Sequence, residues 1–202
     1  MQSKTSKINI DDTVLVELCR EGDSAAMERL IIKYQNRIYN TILKICANVD
    51  DAAELTQETF VKIIENIDKF EGRSSFYTWA FRIAVNLTLN YCKRNVRLGF
   101  KSLDAQSDES TQQTKKVLKQ FLTDARSPDP AVEVQAKEIG ELVIKALMKL
   151  DDDQRTIIVL RDIEGMNYAH IAQVLNIELG TVKSRLSRAR SNLREFLEAV
   201  LQ

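Results

Sequence analysis

The sequence is poor in glycine, proline, cysteine and histidine. Its 202 residues include six Gly, two Pro, three Cys and one His. Sheet-rich folds need many turns, and turns depend on Gly and Pro, so this composition predicts an all-α protein. No apolar run reaches the roughly 18 residues of a membrane span, and the first residues lack the apolar stretch of a signal peptide. We therefore expect a cytoplasmic protein with no membrane insertion.

The few cysteines and the single histidine argue against metal and catalytic chemistry. Cys19, Cys46 and Cys92 are far apart and odd in number, so they suggest neither a disulfide set nor a metal knuckle. Each falls in an apolar helical pattern that is typical of a buried, unreactive thiol. His170 has no nucleophile motif beside it, and the sequence contains no phosphate-binding, dinucleotide-binding or zinc-protease motif. We expect no cofactor, no metal and no enzymatic activity.

Net charge is also absent, since 29 Lys and Arg balance 29 Asp and Glu. Nucleic-acid-binding domains are usually basic, so the total charge alone argues against DNA binding.

The chain divides into helical segments at about 8–97 and 131–202 and a polar segment at 98–130. Ser127-Pro128-Asp129-Pro130 ends the polar segment with two helix-breaking prolines. We predict two small helical domains joined by a flexible linker, in which 117–122 forms at most a short helix.

The C-terminal segment has the pattern of a helix-turn-helix. Tyr168, Ile171 and Leu175 form the inward face of a short helix, and Asn176 suits a turn with a left-handed backbone. A second helix follows from Gly180, and its apolar positions recur every three or four residues. Its opposite face holds Lys183, Ser184, Ser187, Arg188, Ser191 and Arg194. Such a helix fits a DNA major groove, although a solvated polar face is the simpler alternative.

A second pattern combines basic and aromatic residues. Between Gly72 and Leu103 there are six basic residues and no acid, interleaved with six aromatic residues. Cations hold a phosphate backbone while aromatic rings stack on exposed bases, as in single-strand binding. Most aromatics at helical spacing belong instead to a core, to which we assign Phe76 and Phe81. Phe70, Tyr77 and Trp79 are the candidates for base contacts.

A third pattern is acidic. Between Lys44 and Lys62 there are four acids and no base. Asp51, Glu54 and Glu58 lie three and four residues apart, on one helix face. Such a face is either merely solvated or a docking surface for a basic protein, and it lacks the ligands of a metal site.

These residues resemble the extracytoplasmic-function sigma factors of bacteria, group IV of the sigma-70 family. The resemblance covers both helical segments and rests on three motifs. They are DDAAELTQETFVKI from Asp50, FEGRSSFYTWAFRIAVNLTLNY from Phe70 and DDDQRTIIVLRDIEGMNYAHIAQVLNIELGTVKSRLSRARSNLRE from Asp151. The resemblance implies a promoter-specificity subunit rather than an enzyme, with a region 2-like domain at 8–97 and a region 4-like domain at 131–202.

The resemblance also implies residue roles. The core polymerase contacts, on the clamp helices of the largest subunit, would be Asp51, Glu54, Leu55, Gln57, Glu58 and Phe60. Opening of the −10 element would use Phe70, Arg73, Ser74, Ser75, Tyr77, Trp79, Arg82 and Asn86. Reading of the −35 element would use Lys183, Ser184, Arg185, Ser187, Arg188, Arg190 and Arg194. The further partners implied are the polymerase flap, promoter DNA and an anti-sigma factor.

The chain departs from the family in three places. Leu150-Asp151 stands where many relatives have Leu-Pro, so that helix start relies on acidic capping, and Ser187 replaces an aromatic of some relatives. The linker is long, and when extended it would span more than the ~35 Å of a DNA turn. We expect a free protein of two loosely tethered domains, with Asp104, Asp108 and Glu109 placed in polymerase channels. The alternatives are a helix-turn-helix regulator that acts without polymerase and an adaptor that binds only proteins.

Overall fold

The computed structural model describes residues 11–97 and 142–201. All regular secondary structure in these two ranges is helical, which confirms the predicted all-α class. The predicted linker, its short helix at 117–122 and the acids Asp104, Asp108 and Glu109 lie outside the described residues. None of the described helices is both long and apolar enough to cross a membrane.

The first unit, residues 11–97, contains four α-helices. They are α1 (Asp12–Arg20), α2 (Ser24–Cys46), α3 (Val49–Asn66) and α4 (Phe76–Arg97), with a 3-10 turn (Ile67–Lys69) after α3. Capping side chains set the starts: Asp23 Oδ1 accepts from Ala25 N at 2.8 Å, and Asn48 Oδ1 accepts from Asp50 N at 2.9 Å. The breaks between these helices include residues 21–23 and 70–75.

The second unit, residues 142–201, contains the predicted helix-turn-helix. Its helices are α5 (142–149), α6 (Asp152–Ile158) with a π-helical continuation (Val159–Ile163), α7 (Tyr168–Leu175) and α8 (Leu179–Leu201). Asp151 Oδ1 caps α6 by accepting from Gln154 N at 2.7 Å, which confirms the predicted acidic cap. Asn176 ends α7 in the left-handed region at φ 53, which confirms the predicted turn.

The two units share one hydrophobic core, which includes Ile38 and Ile42 of the first and Ile157 and Leu160 of the second. α7 packs against α4, and α6 packs against α2. The expectation of two loosely tethered domains therefore differs from the structure, because a polar linker does not show whether the segments that it joins have complementary apolar faces.

The positions of the three cysteines agree with the prediction of buried, unreactive thiols. Cys19 and Cys92 are buried, Cys46 is half-buried, and all three are free thiols. Burial raises the pKa of Cys46 to about 12, so the thiolate needed for reaction is scarce at neutral pH.

Candidate nucleic-acid and polymerase interfaces

The recognition helix of the helix-turn-helix, α8, separates its core and solvent faces. Val182, Leu186 and Ala189 are buried against the rest of the unit. All seven residues predicted to read the −35 element are exposed, namely Lys183, Ser184, Arg185, Ser187, Arg188, Arg190 and Arg194. The structure thus leaves the whole predicted set exposed, with Lys183, Ser187, Arg190 and Arg194 in one groove and Arg185 and Arg188 in a second concavity.

The exposed side of α8 forms a groove with α7. Tyr168 of α7 lines it together with Lys183, Ser187 and Arg194 of α8. Arg190 lies in the same groove but makes a two-bonded ion pair with Asp162, in which Nε donates to Oδ2 at 3.1 Å. The hydrogen bond that Arg190 donates to the Asp162 carboxylate raises the pKa of Arg190. The sequence pattern did not identify this acid as a partner, since Asp162 belongs to the π-helical turn.

The loop at 70–75 joins the 3-10 turn to α4 and is held at both ends. At its start, the Arg20 guanidinium donates to the carbonyl oxygens of Phe70 and, at 3.4 Å, of Ile67. At its end, Ser75 Oγ accepts from Thr78 N at 3.1 Å. The middle of the loop reverses direction at Gly72, whose φ of 70 suits glycine. Arg20 is an anchor that the sequence reasoning missed.

The middle of the loop presents polar groups to solvent. The Arg73 side chain is 86% exposed, and its Nε lies 2.6 Å from Glu71 Oε2. Ser74 is half-buried and Ser75 is exposed, while Arg82 and Asn86 are exposed one turn apart on α4. These five predicted −10 residues are therefore accessible or partly accessible.

The aromatic residues around the loop belong mostly to the fold. Phe76 and Phe81 are buried, which confirms their assignment to the core. Phe70, predicted as a base contact, is only 8% exposed, so its ring is a core side chain here. Trp79 is half-buried, with its ring centroid 5.2 Å from that of Phe70 and 5.9 Å from that of Phe76. Trp79 is thus the aromatic with an edge left for a base.

Tyr77 points away from the loop, towards the second unit. The Arg37 guanidinium lies 4.6 Å from the Tyr77 ring centroid, and the Phe81 ring centroid lies 4.3 Å from that of Tyr77. Burial raises the pKa of Tyr77 to about 12. Tyr77, predicted as a base contact, therefore packs against Arg37 and Phe81.

Only some of the predicted polymerase contacts on α3 are exposed. Glu54, Gln57 and Glu58 are exposed and Asp51 is half-buried. Leu55 and Phe60 are 4% and 8% exposed, so these two predicted polymerase contacts lie in the core.

Two exposed apolar residues extend the outer face of α3. Val61 and Ile64 are 50% and 48% exposed. Val61 lies four residues beyond Gln57 along the helix, and Ile64 lies three residues beyond Val61. Neither residue is among the polymerase contacts predicted from the sequence, although their spacing from Gln57 is visible there.

No group of three or more His, Cys, Asp or Glu in the described ranges is placed to hold a metal ion. The fold and surface define instead a class of protein: an all-helical DNA-binding protein whose second unit carries a basic helix-turn-helix. The comparisons with known proteins narrow that class. Residues 30–98 match the Sigma-70 region 2 family, and residues 140–193 match Sigma-70, region 4.

Full-length relatives carry both regions. The RNA polymerase sigma-H factor of Pseudomonas aeruginosa is 34% identical over 191 residues, which cover 95% of this chain and 96% of the relative. The ECF RNA polymerase sigma-E factor of Haemophilus influenzae is 31% identical over 197 residues, covering 95% and 98%. The chain belongs to the extracytoplasmic-function group of the sigma-70 family, and it is therefore an RNA polymerase sigma factor and not an enzyme.

Solved structures of sigma factors share the fold. RpoE of Bartonella quintana, in complex with the anti-sigma factor NepR, aligns with a TM-score of 0.61 at 25% identity, covering 85% of this chain and 96% of RpoE. CnrH, in complex with the cytosolic domain of CnrY, aligns with a TM-score of 0.61 at 22% identity, covering 93% and 97%.

Proposed function

We propose that this sigma factor docks on core RNA polymerase through α3, reads the −35 element as duplex with α8, and opens the −10 element with the loop 70–75 and α4. The sequence-derived domain boundaries, 8–97 and 131–202, are part of this proposal. The observation that carries it is the sorting of exposed charge. Cations without acids occupy Lys183–Arg194 of α8, while acids without cations occupy positions 50–58 of α3.

Duplex reading suits α8 because a major groove about 12 Å wide admits one helix. Lys183, Ser184, Ser187 and Arg188 would face base edges and phosphates. Arg185, Arg190 and Arg194 would bind mainly phosphates, which position the helix without reading sequence.

Opening of the −10 element suits the loop because its ends are anchored and its middle is exposed. Arg73 would hold the strand by a phosphate, and the free edge of Trp79 would stack on an extruded base. Extrusion costs a few kcal/mol, which stacking at about 1–3 kcal/mol per base helps to offset.

Docking on polymerase would use Asp51, Glu54, Gln57 and Glu58, extended by Val61 and Ile64. Leu55 and Phe60 would support this face from beneath, because their burial leaves little surface for direct contact. The basic clamp helices of the largest subunit are the proposed partner, and the second unit would bind the flap. The protein would act in the cytoplasm, where transcription occurs.

An anti-sigma factor is a further proposed partner. RpoE, at 25% identity, is bound to the anti-sigma factor NepR in its structure. By analogy, this chain would also bind an anti-sigma factor.

The test is run-off transcription with core polymerase, followed by start-site mapping. Glu54→Lys with Glu58→Lys should abolish co-purification with core polymerase and specific transcripts, because charge reversal repels a basic partner. Glu28→Lys, an exposed change on α2, is the matched control. Specific DNA binding without polymerase binding by the wild-type protein would favour the alternative of an independent helix-turn-helix regulator.

A further inference from the structure

The first residue of α8 is an exposed leucine next to a basic surface. Leu179 is 43% exposed, and it is the one large apolar side chain that is exposed among the described residues of the second unit. The helix that follows carries five basic residues and no acid from Lys183 to Arg194. The N-terminal residues of such a helix are the ones that reach base edges in a major groove. An apolar side chain is therefore available where α8 would enter the DNA.

Leu179 lies on the side of α8 that lines the groove with α7. Successive helix residues point about 100° apart. Residues four, eight, eleven and fifteen positions along a helix therefore point within about 80° of the first. Counted from Leu179, these positions are Lys183, Ser187, Arg190 and Arg194, and all four line the groove. Leu179 is thus placed at the N-terminal end of the same surface, about one turn before Lys183.

Gly180, the next residue, is a glycine that the fold does not require. The other described glycines, Gly22, Gly72 and Gly165, have φ values of 90, 70 and 69, which favour glycine. Gly180 has a helical backbone, and a Cβ added there would meet no atom within 4 Å. Alanine would fit at this position and is the better helix former. A glycine in such a place leaves room for another molecule to approach the backbone closely.

We propose that Leu179 is a specificity-determining residue that packs against the C5-methyl group of a thymine in the −35 element, and that Gly180 lets the DNA come close enough for this contact. The proposal rests on the proposed function in one respect, the assignment of α8 to the −35 duplex. Thymine alone presents a methyl group in the major groove. An apolar side chain can therefore distinguish thymine from the other bases, whereas contacts between cations and phosphates carry no sequence information.

Replacement of thymine by deoxyuridine tests the contact, because it removes only the methyl group. Each thymine of the −35 element is replaced in turn, on either strand, in a promoter identified by start-site mapping, and the affinity of the holoenzyme for the duplex is measured. At one position the wild-type holoenzyme should lose about fourfold in affinity, the value of one buried methyl group. Leu179→Ala should already bind the unmodified promoter more weakly by about this factor, and it should lose nothing further at that position.

Val14→Ala on α1, where the side chain is 47% exposed, is the matched control and should respond to deoxyuridine as the wild type does. The proposal would be overturned by equal deoxyuridine losses in the wild type and in Leu179→Ala. It would also be overturned by a wild type that no replacement affects, or by a −35 element without thymine. If the wild-type holoenzyme bound promoters equally well with and without the −35 sequence, the proposed function itself would fail.

Gly180→Ala tests the close approach, since its effects on folding and on DNA binding should differ in sign. The midpoint of denaturant unfolding should be unchanged or higher, because alanine fits the helix and favours it. The affinity of the holoenzyme for the −35 duplex should fall about fivefold or more, since a methyl group inserted into a packed contact is unfavourable. Its affinity for a −10 single strand should stay the same. A lower midpoint, an unchanged duplex affinity or an equal loss of −10 strand affinity would refute the close approach.

Discussion

The two surfaces proposed to contact DNA are built in opposite ways. On α8 the core side chains Val182, Leu186 and Ala189 are buried, and none of them is a proposed DNA contact. Around the loop 70–75 the two roles overlap. Phe70 is buried, and Trp79 is half-buried against it.

The difference follows from the form of DNA that each surface would bind. A duplex groove accepts a helix as it stands, so recognition needs only an exposed face. An extruded base needs an aromatic ring beside it, and an aromatic ring fully exposed in the free protein would be costly to leave in water. Packing part of the ring into the fold solves that problem, but it ties DNA opening to the stability of the first unit.

The largest effect should come from Trp79→Ala. The change removes ring contacts with Phe70 and Phe76, so the free energy of unfolding should fall by about 2 kcal/mol, less than for a fully buried Trp. Promoter opening, followed by 2-aminopurine fluorescence at −10, should weaken in the folded fraction. Trp79→Phe is the control, because it keeps an aromatic ring and should retain most of both. Unchanged opening in a folded Trp79→Ala protein would contradict the assignment.

Lys183→Ala with Arg188→Ala should reduce DNA recognition with little change in the stability of the protein. Stability should change by less than about 0.5 kcal/mol, as for other exposed substitutions. Transcription that depends on the −35 element should fall about 30-fold, since each lost base contact is worth ~1 kcal/mol or more. Lys145→Ala, an exposed cation of α5, is the control. If DNA binding and transcription were unaffected, the protein-only adaptor would be favoured.

The helices and their breaks could be predicted because local side chains set them. Asp23, Asn48 and Asp151 cap helices through bonds to backbone groups two or three residues away. The contact between the units could not be predicted in this way. It depends on residues more than 100 positions apart in sequence, such as Arg155 and Ile45, and the apolar positions in 41–45 do not indicate which partner covers them.

The same distinction between local and long-range determinants applies to the candidate sites. An amphipathic helix fixes its exposed face by its period alone, so all seven α8 residues are exposed as predicted. Leu55, Phe60 and Phe70 carried roles taken from family resemblance, and burial limits those roles because each ring or branched side chain also fits a core. Arg20 was missed because its partners are backbone carbonyls, which leave no signal in the sequence.

Arg20→Met should have an intermediate effect. It distinguishes the contribution of Arg20 to the position of the loop 70–75 from its contribution to the stability of the protein. The two hydrogen bonds to the carbonyls of Ile67 and Phe70 are lost, which should cost about 1 kcal/mol of stability. Opening at −10 should fall about threefold, an expectation scaled to a similar free energy, while affinity for −35 duplex stays unchanged. The exposed Arg29→Met change on α2 is the control. Equal losses in opening and in −35 affinity would mean that Arg20 acts only through overall stability.

The smallest effect should come from Asp162→Ala. This change tests whether the exposed residues of α8 bind DNA without support from the rest of the fold. The ion pair with Arg190 is exposed, so stability should fall by at most about 1 kcal/mol. Removal of the acid frees a cation beside the duplex, and holoenzyme affinity for −35 DNA should rise. The slope of log affinity against log salt should then steepen by about 0.9, the value for one added phosphate contact. Arg190→Ala is the matched comparison and should leave that slope no steeper than in the wild type. A weaker affinity in Asp162→Ala would instead mean that Asp162 holds Arg190 in its binding position, and that α8, like α4, depends on its supporting fold.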